Sequence, residues 1–266
     1  MTQTGTALLD IPLRDATPAN NALRVAVSTV IFSLRPTPDG AAVVLPLVCR
    51  TRDPFEGTWA LPGGWLGADE GLDAAASRTL VETTDLAPSY LEQLYAFGDV
   101  DRSPTRVVSI IYWALVRPDQ ADLARESENV RWFRASDVEG LAFDHDQIVE
   151  YARARLRGKI EYGSVAYSFL GERFTLTQLR GVYEAVLGRQ LDPANFRRQL
   201  QSAKDIIATD DVLQGGRNRP PRLYRYTGPA ATGAAESDST GRGTRQPTDL
   251  GFRPPSTQQF ILQGEA

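Results

Sequence analysis

Hydrophobic and polar positions follow two periods along this chain. Residues 23–34 (LRVAVSTVIFSL) are rich in β-branched side chains and predict a buried strand. Pro36-Thr37-Pro38-Asp39-Gly40 supplies turn residues, and residues 41–49 return as a second strand, so a hairpin is expected. Further strands are predicted over 90–99, 107–116 and 130–133, with the polar loop 98–104 placed at the mouth of a pocket. The period changes to about 3.6 over residues 71–84, where Leu72, Ala75, Ala76 and Leu80, followed by Leu86, fall on one side of a helix. Ser136-Asp137-Val138 predicts the start of a short helix. A longer helix begins near His145 and reaches about Arg157. With Asp neighbours and no adjacent Ser or Cys, His145 is expected to cap or pack rather than to act as a base.

The second half reads differently. In residues 174–187 (FTLTQLRGVYEAVL), Thr175 and Gln178 form a capping box. Leu176, Leu179, Val182, Tyr183, Val186 and Leu187 make an apolar stripe, and Gly188 supplies a left-handed stop. Asp192-Pro193 opens a helix over 194–203 that buries Phe196, Leu200 and Ala203. Its other faces carry Asn195, Arg197, Arg198, Gln199, Gln201 and Ser202. Strands at 205–213 and 222–226 flank a basic loop at 214–221. A helix-turn-helix followed by a basic hairpin predicts a winged helix. Its Arg, Asn and Gln side chains are those that read base edges. The chain therefore divides into an arm at 1–21, a first domain at 22–157, a second at 158–227 and a tail at 228–266 too poor in apolar residues to fold.

Between the second strand and the first helix lies Leu61-Pro62-Gly63-Gly64-Trp65, followed by Glu70, Arg78, Leu80, Glu82 and Leu86. This stretch resembles the Nudix box, G-x5-E-x7-R-E-U-x-E-E-x-G-U with U aliphatic. It departs from the pattern at Thr79, Thr83 and Asp85. In the family, Glu at the positions of 79, 82 and 83 shares one helix face and holds Mg2+, which activates water against a diphosphate. Two neutral hydroxyls in their place leave Glu82 as a thin metal site. The expectation is a domain that keeps the pocket but has lost hydrolase chemistry, with no catalytic residue, metal or cofactor.

Composition sharpens the division. Hydrophobic residues at 42% and charged residues at 23% suit a globular chain. The single cysteine, Cys49, excludes an intrachain disulfide framework. No long apolar run or basic-then-apolar leader occurs, so a cytoplasmic protein without a membrane partner is expected. Residues 1–154 hold 13 basic and 22 acidic side chains, a balance of −9, whereas 155–226 hold 13 and 7, a balance of +6. The tail from 227 carries −1. A compact basic segment after an acidic one points to a polyanion partner. Only Lys159 and Lys204 are lysines, so Arg is preferred throughout.

Taken with the degenerate box, Phe174-Thr175-Leu176, Leu179, Leu187-Gly188, Leu191-Asp192, Asn195-Phe196-Arg197, Arg219-Pro220 and Leu223-Tyr224 resemble the NrtR family, Nudix-related regulators of NAD metabolism. The resemblance covers roughly residues 22–226. It implies an α+β protein, with a Nudix-type α/β/α sandwich and mixed sheet followed by a winged helix-turn-helix. It further implies a homodimeric repressor of NAD biosynthesis or salvage genes that binds a palindromic double-stranded operator and is released by ADP-ribose or a related nucleotide. The expected ligand set is Arg50, Arg52, Trp59, Gly63, Gly64, Glu82 and Arg106, because guanidinium matches pyrophosphate and an aromatic face suits adenine. The expected DNA-facing set is Thr177, Asn195, Arg197, Arg198, Gln201, Lys204, Arg217, Arg219 and Arg222. The competing reading is an ADP-ribose pyrophosphatase with an accessory DNA-binding domain. A protein scaffold is the third, and it leaves the basic wing unexplained.

Overall fold

The computed structural model describes residues 23–228, apart from 39, 87, 89, 123–126, 163, 201–202 and 215–219. The arm at 1–21, the tail beyond 228, and Gln201, Arg217 and Arg219 lie outside the described residues. In chain order the first elements are β1 (Arg24–Thr37), β2 (Gly40–Cys49), β3 (Trp59–Ala60), β4 (Gly63–Trp65), α1 (Leu72–Thr84), β5 (Tyr90–Phe97) and β6 (Val107–Leu115). There follow α2 (Pro118–Ala121), β7 (Val130–Arg134), α3 (His145–Tyr162), α4 (Leu176–Leu187), α5 (Pro193–Leu200), β8 (Ile206–Val212) and β9 (Arg222–Tyr226).

β1 is the axis of a mixed sheet. It runs parallel to β6 from Arg24↔Val107 to Phe32↔Leu115. Its other edge pairs antiparallel with β4 at Ala26–Ser28 and with β2 from Ser33↔Val44 onward. β5 closes the far edge against β6, while β3 and β7 pair with β2. Alternation then sorts the side chains. Val27, Ile31, Tyr112 and Ala114 face Ala75, Ala76 and Leu80 of α1. Val30, Phe32, Leu34, Ile111, Trp113 and Leu115 face Ile148, Ala152 and Leu156 of α3. The expected α/β/α sandwich results.

The second core does not stop at α3. Leu179, Val182 and Val186 of α4 and Phe196 of α5 belong to the same continuous cluster as Trp113 and Leu156. α3 runs on past residue 157 to Tyr162, and a 3-10 turn at Ser164–Phe169 leads into α4. Thr175 caps α4: its hydroxyl accepts from the Gln178 N–H at 3.1 Å, and the Gln178 side chain accepts from the Thr175 N–H at 2.8 Å. Gly188 closes it at φ 67°. β8 and β9 pair from Ile206↔Tyr226 to Val212↔Arg222, completing the winged helix.

Two local readings are corrected. Residues 136–138 form a turn, not a helix: the Asp137 N–H bonds back to Arg134 O at 3.0 Å and the Ser136 hydroxyl donates to Asp137 at 2.6 Å. Phe174 lies outside the helix in an isolated β-bridge, exchanging both backbone hydrogen bonds with Tyr224 at 2.8 and 2.9 Å, so α4 begins after its cap. The polar loop after β5 contains a 3-10 turn at Val100–Arg102.

Candidate functional site

The sheet face that carries Val30 and Phe32 changes character toward the start of β1. There the same-facing positions are Arg24, Ala26 and Ser28, with Val107 and Ser109 beside them on β6. Small and polar side chains replace core-filling ones, and a cavity of about 650 Å³ opens above them. Gly63 borders it on β4, where a Cβ would lie 2.3 Å from the Ser28 hydroxyl, so only glycine allows the two strands this approach. The 50–54 and 102–105 loops form walls, with Trp65, Phe143 and His145.

The wall groups are held by specific partners. Arg102, with only 4% of its side chain exposed, is bidentate to Asp144 at 2.8 and 2.6 Å and donates to the Ser109 hydroxyl at 2.8 Å. Arg50 donates to Pro54 O at 2.8 Å and lies over the Phe143 ring at 4.8 Å. Phe143 and Phe55 touch edge-on at 4.8 Å, and both occupy the left-handed region at φ 61° and 67°, a costly conformation for bulky side chains that clusters at functional sites. His145 accepts the Leu61 N–H on Nδ1 at 3.0 Å. Burial lowers its pKa to about 4, so the ring is neutral with its proton on Nε2. It packs, and it anchors the Leu61-Pro62-Gly63-Gly64 turn.

The box helix is tied to its own loop. Arg78 is bidentate to Glu70 at 3.0 and 2.7 Å, while Glu70 also accepts the Gly67 N–H, and these bonds hold the Glu70 carboxyl below its usual range. Thr79 is buried and donates to Ala75 O at 2.7 Å, and Thr83 donates to Thr79 O at 2.7 Å. Both hydroxyls are thus engaged with the helix backbone. Asp85 stands in the left-handed cap at φ 56°, which explains why the box pattern has glycine there. Among the described residues no three His, Cys, Asp or Glu side chains converge as a metal site needs.

Of the expected ligand set, Arg50, Arg52, Gly63 and Gly64 line the cavity. Trp59 does not: it packs against Phe133 at 4.9 Å, with Arg131 over its ring. Glu82 has 62% of its side chain exposed and bonds Arg78 at 3.2 Å. Arg106 turns back to Gly98 O at 2.8 Å. Arg24, Trp65, Arg102 and Phe143 line the cavity and were not singled out from the sequence. Arg102 had a signal, since it lies in the loop assigned to the pocket mouth.

On the second half, Asn195, Arg197 and Arg198 are exposed on α5 beside buried Phe196, and Arg198 donates to the Asn195 side chain. Lys204 is exposed in the turn before β8, and Arg222 is exposed at the start of β9. Thr177 is exposed on the first turn of α4 but lines a separate cleft of about 950 Å³ between α4 and the β1–β2 hairpin. Among the described residues no helix is long and apolar enough to cross a membrane.

Comparison with known proteins agrees with this division. The NUDIX domain family matches residues 23–152, and the NrtR DNA-binding winged helix domain matches residues 166–226. The Acinetobacter baylyi protein named ADPR responsive transcriptional repressor NtrR is 34% identical over 209 residues, 76% of this chain and 81% of that protein. The crystal structure of Shewanella oneidensis NrtR complexed with a 27mer DNA superposes with a TM-score of 0.65 at 34% identity, covering 76% of this chain and 93% of that one. A Methanocaldococcus jannaschii ADP-ribose pyrophosphatase is 30% identical over 105 residues, 39% of this chain and 62% of that protein.

Proposed function

Because this chain belongs to the NrtR family of Nudix-related regulators, we propose that it is a DNA-binding transcriptional repressor released from its operator by ADP-ribose or a closely related NAD-derived nucleotide. On this reading it acts in the cytoplasm as a homodimer on a palindromic site, and controls genes of NAD biosynthesis or salvage. Residues 22–157 sense, residues 158–227 bind DNA, and α3 serves both.

The observation that carries the reading is the course of α3. It starts at His145 on the cavity wall, directly after Phe143 and Asp144, and contributes Leu156 and Ile160 to the core that holds α4 and α5. Eighteen residues make a rod of about 27 Å. A pyrophosphate that competes with Asp144 for Arg102, or displaces Phe143, acts on the first turn of that rod. A small rotation there changes the separation of two winged helices in a dimer, and operator half-sites tolerate only matching separations.

Ligand and operator must then oppose each other by the same factor, because equal affinity of a ligand for both states shifts nothing. Calorimetry with ADP-ribose, on the protein alone and on its operator complex, is expected to show weaker binding in the complex. The coupling should be about 1–3 kcal/mol. Identical affinities in the two titrations reject the sensor.

The second reading, hydrolysis, is favoured by the Glu70–Arg78–Glu82 set and by the pyrophosphatase relative. The repressor relative and the two threonines weigh against it. Turnover of ADP-ribose with Mg2+ is expected at background. A rate on the order of 1 per second that Glu82→Gln abolishes makes the protein an enzyme.

A further inference from the structure

We infer that Trp65 is the platform on which the ligand's base stacks, and that Arg24 occupies that place until the ligand arrives. The inference rests on the sensing function proposed above and identifies its recognition element for a purine-bearing diphosphate.

Trp65 is paired across the strands with Ala26, so its indole stands over a small neighbour at the cavity floor. It is 46% exposed, unlike Trp113, which is fully buried in the core. Arg24, two residues before Ala26 and therefore on the same face, lays its guanidinium 3.5 Å above the indole ring. A planar cation thus sits at the spacing a stacked heteroaromatic ring adopts. An exposed guanidinium–indole contact is the weaker of the two stacks and base–indole stacking the stronger, so a purine can replace Arg24 at a net gain. The remaining cavity cations, Arg50, Arg52 and Arg102, suit the anionic part of the same ligand. An anion without a base engages these arginines but has nothing to offer Trp65.

The test compares ADP-ribose with inorganic pyrophosphate, on the full chain, by calorimetry. Trp65→Ala is expected to weaken ADP-ribose by about 3- to 30-fold, the difference between the two stacks, and pyrophosphate by less than about twofold, and Trp65→Phe to recover most of the loss. Fluorescence gives a second readout that does not depend on the alanine variant folding. ADP-ribose should quench indole emission of the unmodified protein, pyrophosphate should not, and the quench should be absent in Trp65→Phe. Unchanged ADP-ribose affinity in Trp65→Ala, equal losses for both ligands, or a quench that survives in Trp65→Phe overturns the platform while leaving the sensor standing. Failure of the unmodified protein to bind ADP-ribose overturns both.

Discussion

Arg102 in the sensing half and Arg197 in the winged helix both face an anion on the proposed reading, yet they are held in opposite ways. Arg102 is almost fully buried, forked onto Asp144 and bonded to Ser109. Arg197 is exposed on α5, next to Arg198, which donates to Asn195 on the same helix. The first arrangement removes a guanidinium from water and offsets that cost with a carboxylate, so the pocket has its shape in advance. The second keeps its cations hydrated. They attract a polyanion from a distance and adjust to the groove on arrival, at the cost of strong salt sensitivity. Charge follows the same contrast, with −9 over residues 1–154 and +6 over 155–226. A sensor needs selectivity among small anions, whereas a DNA reader first needs capture.

The contrast is most exposed to challenge at Arg102. Arg102→Met leaves Asp144 charged and unpaired, and is expected to cost about 3–5 kcal/mol of stability in urea denaturation. Asp144→Asn in the same chain should restore part of it. A loss below about 1 kcal/mol means the pocket is not preorganised by this pair.

His145 gives the next largest effect. Its folded pKa is depressed, to about 4 from 6.5, so on acidification the unfolded chain takes the proton first. The contribution is therefore fully present above pH 6.5 and is lost as pH falls toward 4, amounting to about 3 kcal/mol. His145→Asn, whose side-chain oxygen accepts the Leu61 N–H without titrating, should flatten that part of the stability profile. A profile parallel to the unmodified protein's excludes His145 as its source.

Smaller effects belong to the exposed half. Arg197→Ala or Arg198→Ala should each weaken operator binding by about 1–3 kcal/mol and relax base preference, with ADP-ribose affinity unchanged. Equal losses on operator and random DNA would reassign the residue to phosphate contact. Arg222→Ala, at the start of β9, should weaken all sequences alike. It should reduce the slope of log affinity against log salt by about 1, and an unaltered slope removes Arg222 from the interface.

What the sequence by itself determined is the set of features made by residues close together in the chain. The β-branched and apolar runs at residues 23–34 and 107–116 located the two central strands, because a strand covered on both faces reads as a near-continuous apolar run. Thr175, Gln178 and Gly188 marked both ends of α4, since caps join residues three or four apart. Leu72, Ala75, Ala76 and Leu80 marked the box helix by their spacing on one side of it. The tertiary structure decided which of several arginines and aromatics enter the cavity. Trp59 and Ala60 are adjacent on β3, yet Ala60 lines the cavity while Trp59 packs on Phe133. Arg24 and Arg106 are held together by a backbone hydrogen bond at the same end of the sheet, yet of the two Arg24 lines the cavity. These outcomes depend on partners brought together by the fold, Phe133 for Trp59 and the Gly98 carbonyl for Arg106. Packing also decided that the α3 residues share one core cluster with α4 and α5. A helix's apolar stripe shows that it must be covered, but not that one end will meet a ligand pocket and the other a winged helix.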